Sequence, residues 1–346
     1  DLQSYLSELR LWANQVELRL PTRYANVGLP DETLMLLGQD VVGTIDRMHD
    51  RFEEVAGSVE AEDRPAHRHC ARQLLSPFFL CTPFGYRSFQ KPLGYAGDYE
   101  LMNMIHRQAP EGPDLFSRLV HYWLVRQWPA QSVRNRVAHL ESLVTQTAAR
   151  AHRNHRRARV LSLGCGPARE IENVVRASPL ANHLDVTLLD FDQAPLDFAE
   201  RSLTEACRHR GRTPRIQTRR LSAQHLLRLA AGGRRVADRD DRDYDLIYCA
   251  GLFDYLADAV CRQLVSVFYD WTAPGGRVVV SNMDDCKPFR SMMEFLLDWH
   301  LIYRRGPELL EFRPPEAPLD QCVVRSEPTS VNHFLEVTKP GARPPS

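Results

Sequence analysis

Gly164 and Gly166, the acid Asp190 roughly 25 residues further on, and a tyrosine-rich stretch upstream are the residues whose types and spacing suit chemistry. The two glycines lack a Cβ, so the backbone there can take positive φ and a ligand can come close to it. A dinucleotide fingerprint needs a third small residue three places after the second glycine, and Arg169 stands there instead. A diphosphate on the following helix is therefore disfavoured, and a nucleoside with a phosphate-free tail fits better. Asp190 closes an apolar run at the spacing where an α/β fold sets a carboxylate on ribose hydroxyls, so it is expected to take the ribose diol. A glycine turn that binds nothing is the competing reading.

The upstream stretch is Phe89-Gln90-Lys91-Pro92-Leu93-Gly94-Tyr95-Ala96-Gly97-Asp98-Tyr99-Glu100-Leu101-Met102-Asn103. Its glycines, proline and tyrosines spell a loop with exposed polar groups. Asp98 is expected to cap a helix continuing through Met104. Tyr95 and Tyr99 then either fill a domain interface or, with Asp98 and Asn103, line a reaction space.

The elements that must position these residues follow from apolar patterning. Val160 to Leu163 reads as a strand running through a tight turn into a helix, with Pro167 suited to the first helical position. Leu184 to Asp190 is a second strand; Phe191 and Asp192 form a short polar loop before a helix from Ala194 to Leu203. Arg215 to Thr218 makes a third strand, followed by Leu221-Ser222-Ala223-Gln224, where Ser222 is also a good helix cap. Tyr244 to Gly251 makes a fourth, followed by Leu252-Phe253-Asp254-Tyr255-Leu256. Gly275 to Asn282 is the fifth, entered by a Pro-Gly-Gly turn. At its end Asn282, Met283 and Asp284 either meet an acceptor or cap a helix from Phe289 to Trp299. Gln321 to Arg325 and His333 to Thr338 form a closing antiparallel pair.

Residues 1–150 read as helical. Leu2, Leu6, Leu9, Trp12, Val16 and Leu20 mark one amphipathic helix. Asp31 caps a second, with Met35, Leu36, Val41, Val42, Ile45 and Met48 on its apolar face. A third covers Cys70 to Ser76 until Pro77 and Pro83 interrupt. Leu115 to Ala149 continues the helical pattern into an arginine-rich linker, Arg153 to Arg159. The expected division is a helical cap at 1–150 and an α/β domain at 151–346.

The pattern Leu161-x-Leu163-Gly164-x-Gly166, with Asp190 closing the second strand, resembles the class I S-adenosylmethionine-dependent methyltransferases. The resemblance implies a Rossmann-like, seven-stranded, mostly parallel sheet, with S-adenosylmethionine as co-substrate and no metal. It carries the adenine contacts to Ser222, Ala223 and Gln224, and extends the cofactor set to Cys165, Glu170, Phe191, Asp192, Ala250 and Gly251. The end of the fourth strand faces the methyl group in that family, which makes Tyr255 a candidate active-site hydroxyl; Leu252 and Phe253 pack on the adenine or the sheet. Aromatic faces and carboxylates attract a sulfonium cation where water is excluded. Tyr95, Asp98 and Tyr99 offer both, so Tyr95, Asp98, Tyr99, Asn103 and Tyr255 are the catalytic candidates.

Lys91 to Glu100 and Leu163 to Glu170, with Asp298-Trp299-His300-Leu301-Ile302-Tyr303-Arg304 and Glu327-Pro328-Thr329-Ser330-Val331-Asn332, are further similar to bacterial methyltransferases assigned to 3-hydroxypalmitic acid methyl ester synthesis. That likeness implies a carboxylic acid acceptor. A carboxylate is ionised near neutral pH and needs no general base. Aligning nucleophile, carbon and sulfur then does most of the work, up to ~7–11 kcal/mol of the barrier. Two alternatives stay open. Methyltransferase-like azetidine-2-carboxylate synthases close the methionyl tail on its own amine and expel methylthioadenosine, and a catalytically silent cofactor-binding module is the other.

Composition bounds these readings. At 346 residues, 43% hydrophobic and 25% charged, the chain can bury a sizeable core in one large or two ordinary domains. Lys plus Arg and Asp plus Glu both number 44, so no global charge points to nucleic acid, and the expected partner is a small molecule. The 8 cysteines include no Cys-x-x-Cys pair, which suits reduced thiols and a cytoplasmic setting. His67-Arg68-His69-Cys70 is a metal-like cluster without a second ligand pair. No run of about 18 apolar residues and no basic-then-apolar leader is present, so no membrane span is expected.

Overall fold

The computed structural model describes residues 1–21, 29–232 and 243–341. Two compact units emerge: Asp1–Gln131 with Asp285–His300, and Ser132–Asp284 with Leu301–Ser346. The sequence pattern predicts a single boundary at 150/151. The units instead divide within a long helix, and a segment far along the chain joins the N-terminal helices.

The first unit holds α1 (Leu2–Leu18), α2 (Asp31–Gly57), α3 (Arg64–Phe79), α4 (Pro83–Gln90), α5 (Tyr99–Arg107) and α6 (Leu115–Leu124). In α1 the buried stripe is Leu2, Leu6, Leu9 and Ala13, while Trp12 stays half-exposed. In α2 it is Leu34, Gly38, Val41, Ile45, His49 and Glu53. Of the expected face Val41 and Ile45 are buried while Leu36 is exposed, and Asp31 is the first helical residue after Pro30 at the cap. The helix α3 runs through Pro77 instead of stopping there, and Pro83 opens α4 at a first-turn position that needs no N–H. The expected helix Phe289 to Trp299 is a short π-helical turn, Met292–Leu296. The backbone N–H groups of Ser291 and Met292 donate to the buried Glu53 carboxylate at 2.9 and 2.6 Å. That tertiary acceptor takes the helix-opening donors, which local patterning cannot foresee.

The second unit continues with α7 (Trp128–Arg153), which begins in the first unit and belongs to the second from Ser132 onward. The expected run Leu115 to Ala149 is therefore two helices, broken at 125–127. Then come β1 (Ala158–Leu163), α8 (Arg169–Ala177), β2 (Leu184–Asp190), α9 (Gln193–Arg210), β3 (Arg215–Arg220), α10 (Ala223–Ala231) and β4 (Tyr244–Ala250). The unit ends with α11 (Asp258–Trp271), β5 (Thr272–Met283), α12 (Gly306–Leu310), β6 (Cys322–Ser326) and β7 (Asn332–Thr338).

The strands form one seven-stranded sheet in the order β3-β2-β1-β4-β5-β7-β6. All neighbours are parallel except β7, which runs antiparallel to β5 and β6. This is the Rossmann-like class I methyltransferase fold. Order reverses at β1, where β2 and β4 lie on either side, so ligands are expected at the carboxyl ends of β1 and β4. Val160, Leu161, Val186, Leu188, Ile247 and Val278 are fully buried, as strands covered on both faces require.

One further expectation is corrected. Ala273 to Gly276 lies inside β5 and not before it: Thr272 pairs with Tyr244 and Arg277 with Leu246, so the Pro-Gly-Gly residues bulge out of register. In the arginine-rich stretch, where residues 152–156 are exposed, Arg156 grips both carboxylate oxygens of Asp245 at 2.7 and 2.6 Å.

Candidate functional site

The glycine turn is built by its neighbours. The N–H groups of Gly164 and Cys165 both donate to the carbonyl of Leu189 on β2, which folds the end of β1 towards the end of β2. Gly164 sits at φ 66° and Gly166 at φ 51°, and Ala168 at φ 49° precedes α8. Pro167 is therefore in the turn, and the first helical residue is Arg169. At Gly164 a Cβ would meet Leu252 at an ordinary contact distance of 3.4 Å, so it is the positive φ that favours glycine there.

Asp190 closes the turn. Its Oδ2 accepts the N–H of Gly166 at 3.1 Å and its Oδ1 the N–H of Asp192 at 3.2 Å. The side chain is buried, and desolvation raises its pKa above the usual 3.8 although backbone N–H bonds from Gly166, Asp192 and Phe191 pull it down. An ionised carboxylate has about four lone-pair sites. The N–H of Phe191 takes a third, which leaves about one site for a diol hydroxyl. Asp192 caps α9 through Ala194, while Phe191 is half-exposed.

Beneath the turn, Tyr248 on β4 donates to Glu170 Oε1 at 2.6 Å. Both are buried, which raises the pKa of each. Glu170 thus positions α8 against β4. Cys165 is buried as well, and desolvation raises its thiol pKa well above the ordinary range, so it is a neutral packing residue. Ser222 caps α10 by accepting the N–H of His225, which places Ala223 and Gln224 in its first turn.

The loop after β4 brings more groups together. Gly251 takes φ 91°, and Phe253–Tyr255 make a 3₁₀ turn with Phe253 in the core under the sheet and Tyr255 half-exposed. Asp254 is buried and accepts the N–H of Met283 at 2.7 Å; desolvation pushes its pKa up to about 6. Asn282 accepts from Arg304 at 2.6 Å and donates to the carbonyl of Ile302 at 2.8 Å. Asp284 meets His333 at 3.0 Å. The end of β5 is thus tied into its own unit.

Sequence reasoning missed Arg136. It lies three residues after the buried Val133 and four before the buried Leu140, so a charged residue in an apolar helical register was the available signal. Its guanidinium covers Gly251: a Cβ there would stand 2.9 Å from Nη1 and 3.1 Å from Nη2. Burial lowers its pKa, against the opposing charges of Asp254, Tyr255 and Glu170.

The tyrosine loop belongs to the first unit. Asp98 is the N-cap of α5, its Oδ1 accepting the N–H groups of Glu100 and Leu101 at 3.0 Å each. Arg87 Nε also donates to both oxygens of this buried carboxylate, at 2.9 and 2.8 Å. Asp98 is therefore a structural clasp for the loop. Asn103 is buried and donates to Glu100 at 3.1 Å. Gly94 and Gly97 take φ 84° and 74°, which bends the chain on either side of Tyr95 and the buried Ala96. Among the described residues no group of His, Cys, Asp and Glu side chains is spaced to hold a metal.

Residues 161–278 match the model of the methyltransferase domain family, and residues 94–213 that of a putative methyltransferase family. A possible exported protein from Bordetella parapertussis shares the fold, with 18% identity over 70% of this chain and 80% of that one and a TM-score of 0.51. Magnesium protoporphyrin IX methyltransferase from Synechocystis PCC 6803, with bound SAH, aligns at 10% identity over 73% and 97% of the two chains, TM-score 0.45. The N-methyltransferase NodS from Bradyrhizobium japonicum WM9, also with SAH, aligns at 15% identity over 57% and 86%, TM-score 0.36. No curated protein matches the sequence. Strand order gives the class I methyltransferase fold, and the two matched segments are similar to methyltransferase domains.

Proposed function

We propose that the protein transfers the methyl group of S-adenosylmethionine to the carboxylate of a small or fatty hydroxy acid. The observation that carries this reading is Asp190, a buried carboxylate bonded to the turn of Gly164 and Gly166 and retaining acceptor capacity at the reversal point of the sheet. Those residues suit the group: the glycines admit the methionyl end, Asp190 takes the ribose diol, and Ser222, Ala223 and Gln224 adjoin the adenine. When bound, the cofactor supplies an electrophilic methyl carbon, and an ionised acid is nucleophile enough without a base.

By residue type, Tyr95, Tyr99, Asn103 and Tyr255 are the proposed reacting-end residues, with Asp98 ordering its loop. Among the described residues no helix is long and apolar enough to cross a membrane. The scattered cysteines, without a Cys-x-x-Cys pair, suit a reducing compartment.

The test is incubation with S-adenosylmethionine, with and without a panel of free fatty and hydroxy acids, and identification of the released nucleoside. S-adenosylhomocysteine appearing only with an acid is expected. Methylthioadenosine released without any acid would replace methyl transfer by intramolecular cyclisation, and no turnover in either case would leave a silent cofactor-binding module.

A further inference from the structure

Arg136 is a part-buried cation of the second unit. Among the described residues it makes no hydrogen bond and no ion pair, and the nearby acids are engaged elsewhere: Glu170 accepts from Tyr248, Asp254 from the N–H of Met283. A guanidinium carries five N–H donors in a planar fork, so this one has donors to offer a ligand. Glycine at 251 makes room for it. With any side chain at that position the guanidinium would have to move off the turn that follows β4. Among the described residues this leaves an unpaired cation at the carboxyl edge of the sheet, where ligands of such folds bind.

We propose that Arg136 is a receptor for a ligand carboxylate at the end of β4. The planar fork matches a carboxylate through two parallel bonds. A monoanion is favoured over a phosphate dianion, because Glu170 and Asp254 already oppose the single positive charge. Resting on the methyltransferase reading above, the proposal leaves two sources for that carboxylate: the methionyl tail of the cofactor, or the acceptor acid.

Calorimetric titration of the full chain separates the sources. The probes are S-adenosylhomocysteine, 5′-methylthioadenosine, which lacks the carboxylate, and 3-hydroxyhexadecanoate added to protein already loaded with S-adenosylhomocysteine. If the cofactor tail is held, Arg136→Met weakens S-adenosylhomocysteine about 10- to 100-fold, as loss of a charged hydrogen-bonding pair does, and leaves methylthioadenosine unchanged. If the acceptor is held, S-adenosylhomocysteine is unaffected and the fatty acid loses a similar factor. Arg136→Lys keeps the charge without the fork and recovers part of the loss.

Unchanged affinity for all three probes would overturn the proposal. So would equal loss of S-adenosylhomocysteine and methylthioadenosine, which marks a structural role. Wild-type protein that binds neither nucleoside would refute the underlying cofactor reading, a result distinct from both.

Discussion

Asp190 Oδ2 and the backbone N–H of Gly166 lie 3.1 Å apart, joining the loops that end β2 and β1. The carboxylate is buried and its pKa lies above the usual value for an aspartate, chiefly through desolvation. Its ionised form offers the larger number of acceptor sites to a diol. Affinity for S-adenosylhomocysteine is therefore expected to be greatest well above the Asp190 pKa and to fall on acidification. Titrations at pH 7.5 and 5 check this. In Asp190→Asn, which cannot ionise, that component of the pH dependence disappears.

Gly251→Ala tests the packing of the loop after β4. A Cβ at φ 91° is strained in itself, and it would also stand 2.9 Å from Arg136 Nη1. A loss of about 1–3 kcal/mol is expected in urea unfolding. Pairing with Arg136→Met should relieve the steric part, so the two losses should add to more than the double variant shows.

Asp245 is buried and holds Arg156 in a fork while accepting the N–H of Arg159 at 2.9 Å. Arg156 is itself close to half-exposed, so solvent screens part of the pair. Arg156→Met is expected to cost about 1–2 kcal/mol, below the range for fully buried pairs. Denaturant midpoints at low and high salt measure it, and the loss should shrink only slightly with salt because the carboxylate is inside.

His121 gives the helical unit a pH response. Burial lowers its pKa to about 4, and its Nδ1 accepts the N–H of Phe84 at 3.4 Å, so it is neutral in the fold. A depressed folded pKa supplies stability that is present above the unfolded value of about 6.5 and lost as pH falls through 4. Between pH 7 and 5 that is about 2 kcal/mol of stability lost on acidification. His121→Gln should lack this slope, as read from unfolding midpoints at the two pH values. Asp254 acts oppositely: with its pKa pushed up to about 6, its contribution is full below about 4 and is lost as pH rises through 6.

Much of the second unit could be read from the chain. β1, β2 and β4 are apolar runs buried on both faces, and their ends are marked by glycines or an acid. The Asp98 cap was legible because the side chain and the donors it satisfies are neighbours in sequence. What escaped depends on distant partners. Glu53 takes the backbone donors of Ser291 and Met292, and this sets a π-helical turn where patterning suggested an ordinary helix. Arg136 sits in a helix that reads as generic packing. Only the space left by Gly251 shows what lies against it.

The reading of this protein as a nucleoside-dependent transferase turns on Asp190, and titration of Asp190→Ala with S-adenosylhomocysteine beside the wild type tests it most directly. Loss of the ribose acceptor is expected to weaken binding at least about tenfold, the scale of a charged hydrogen bond, with a cooperative unfolding transition retained. Equal affinity in the two proteins would contradict the ribose assignment and, with it, the placement of the cofactor at the carboxyl ends of β1 and β4.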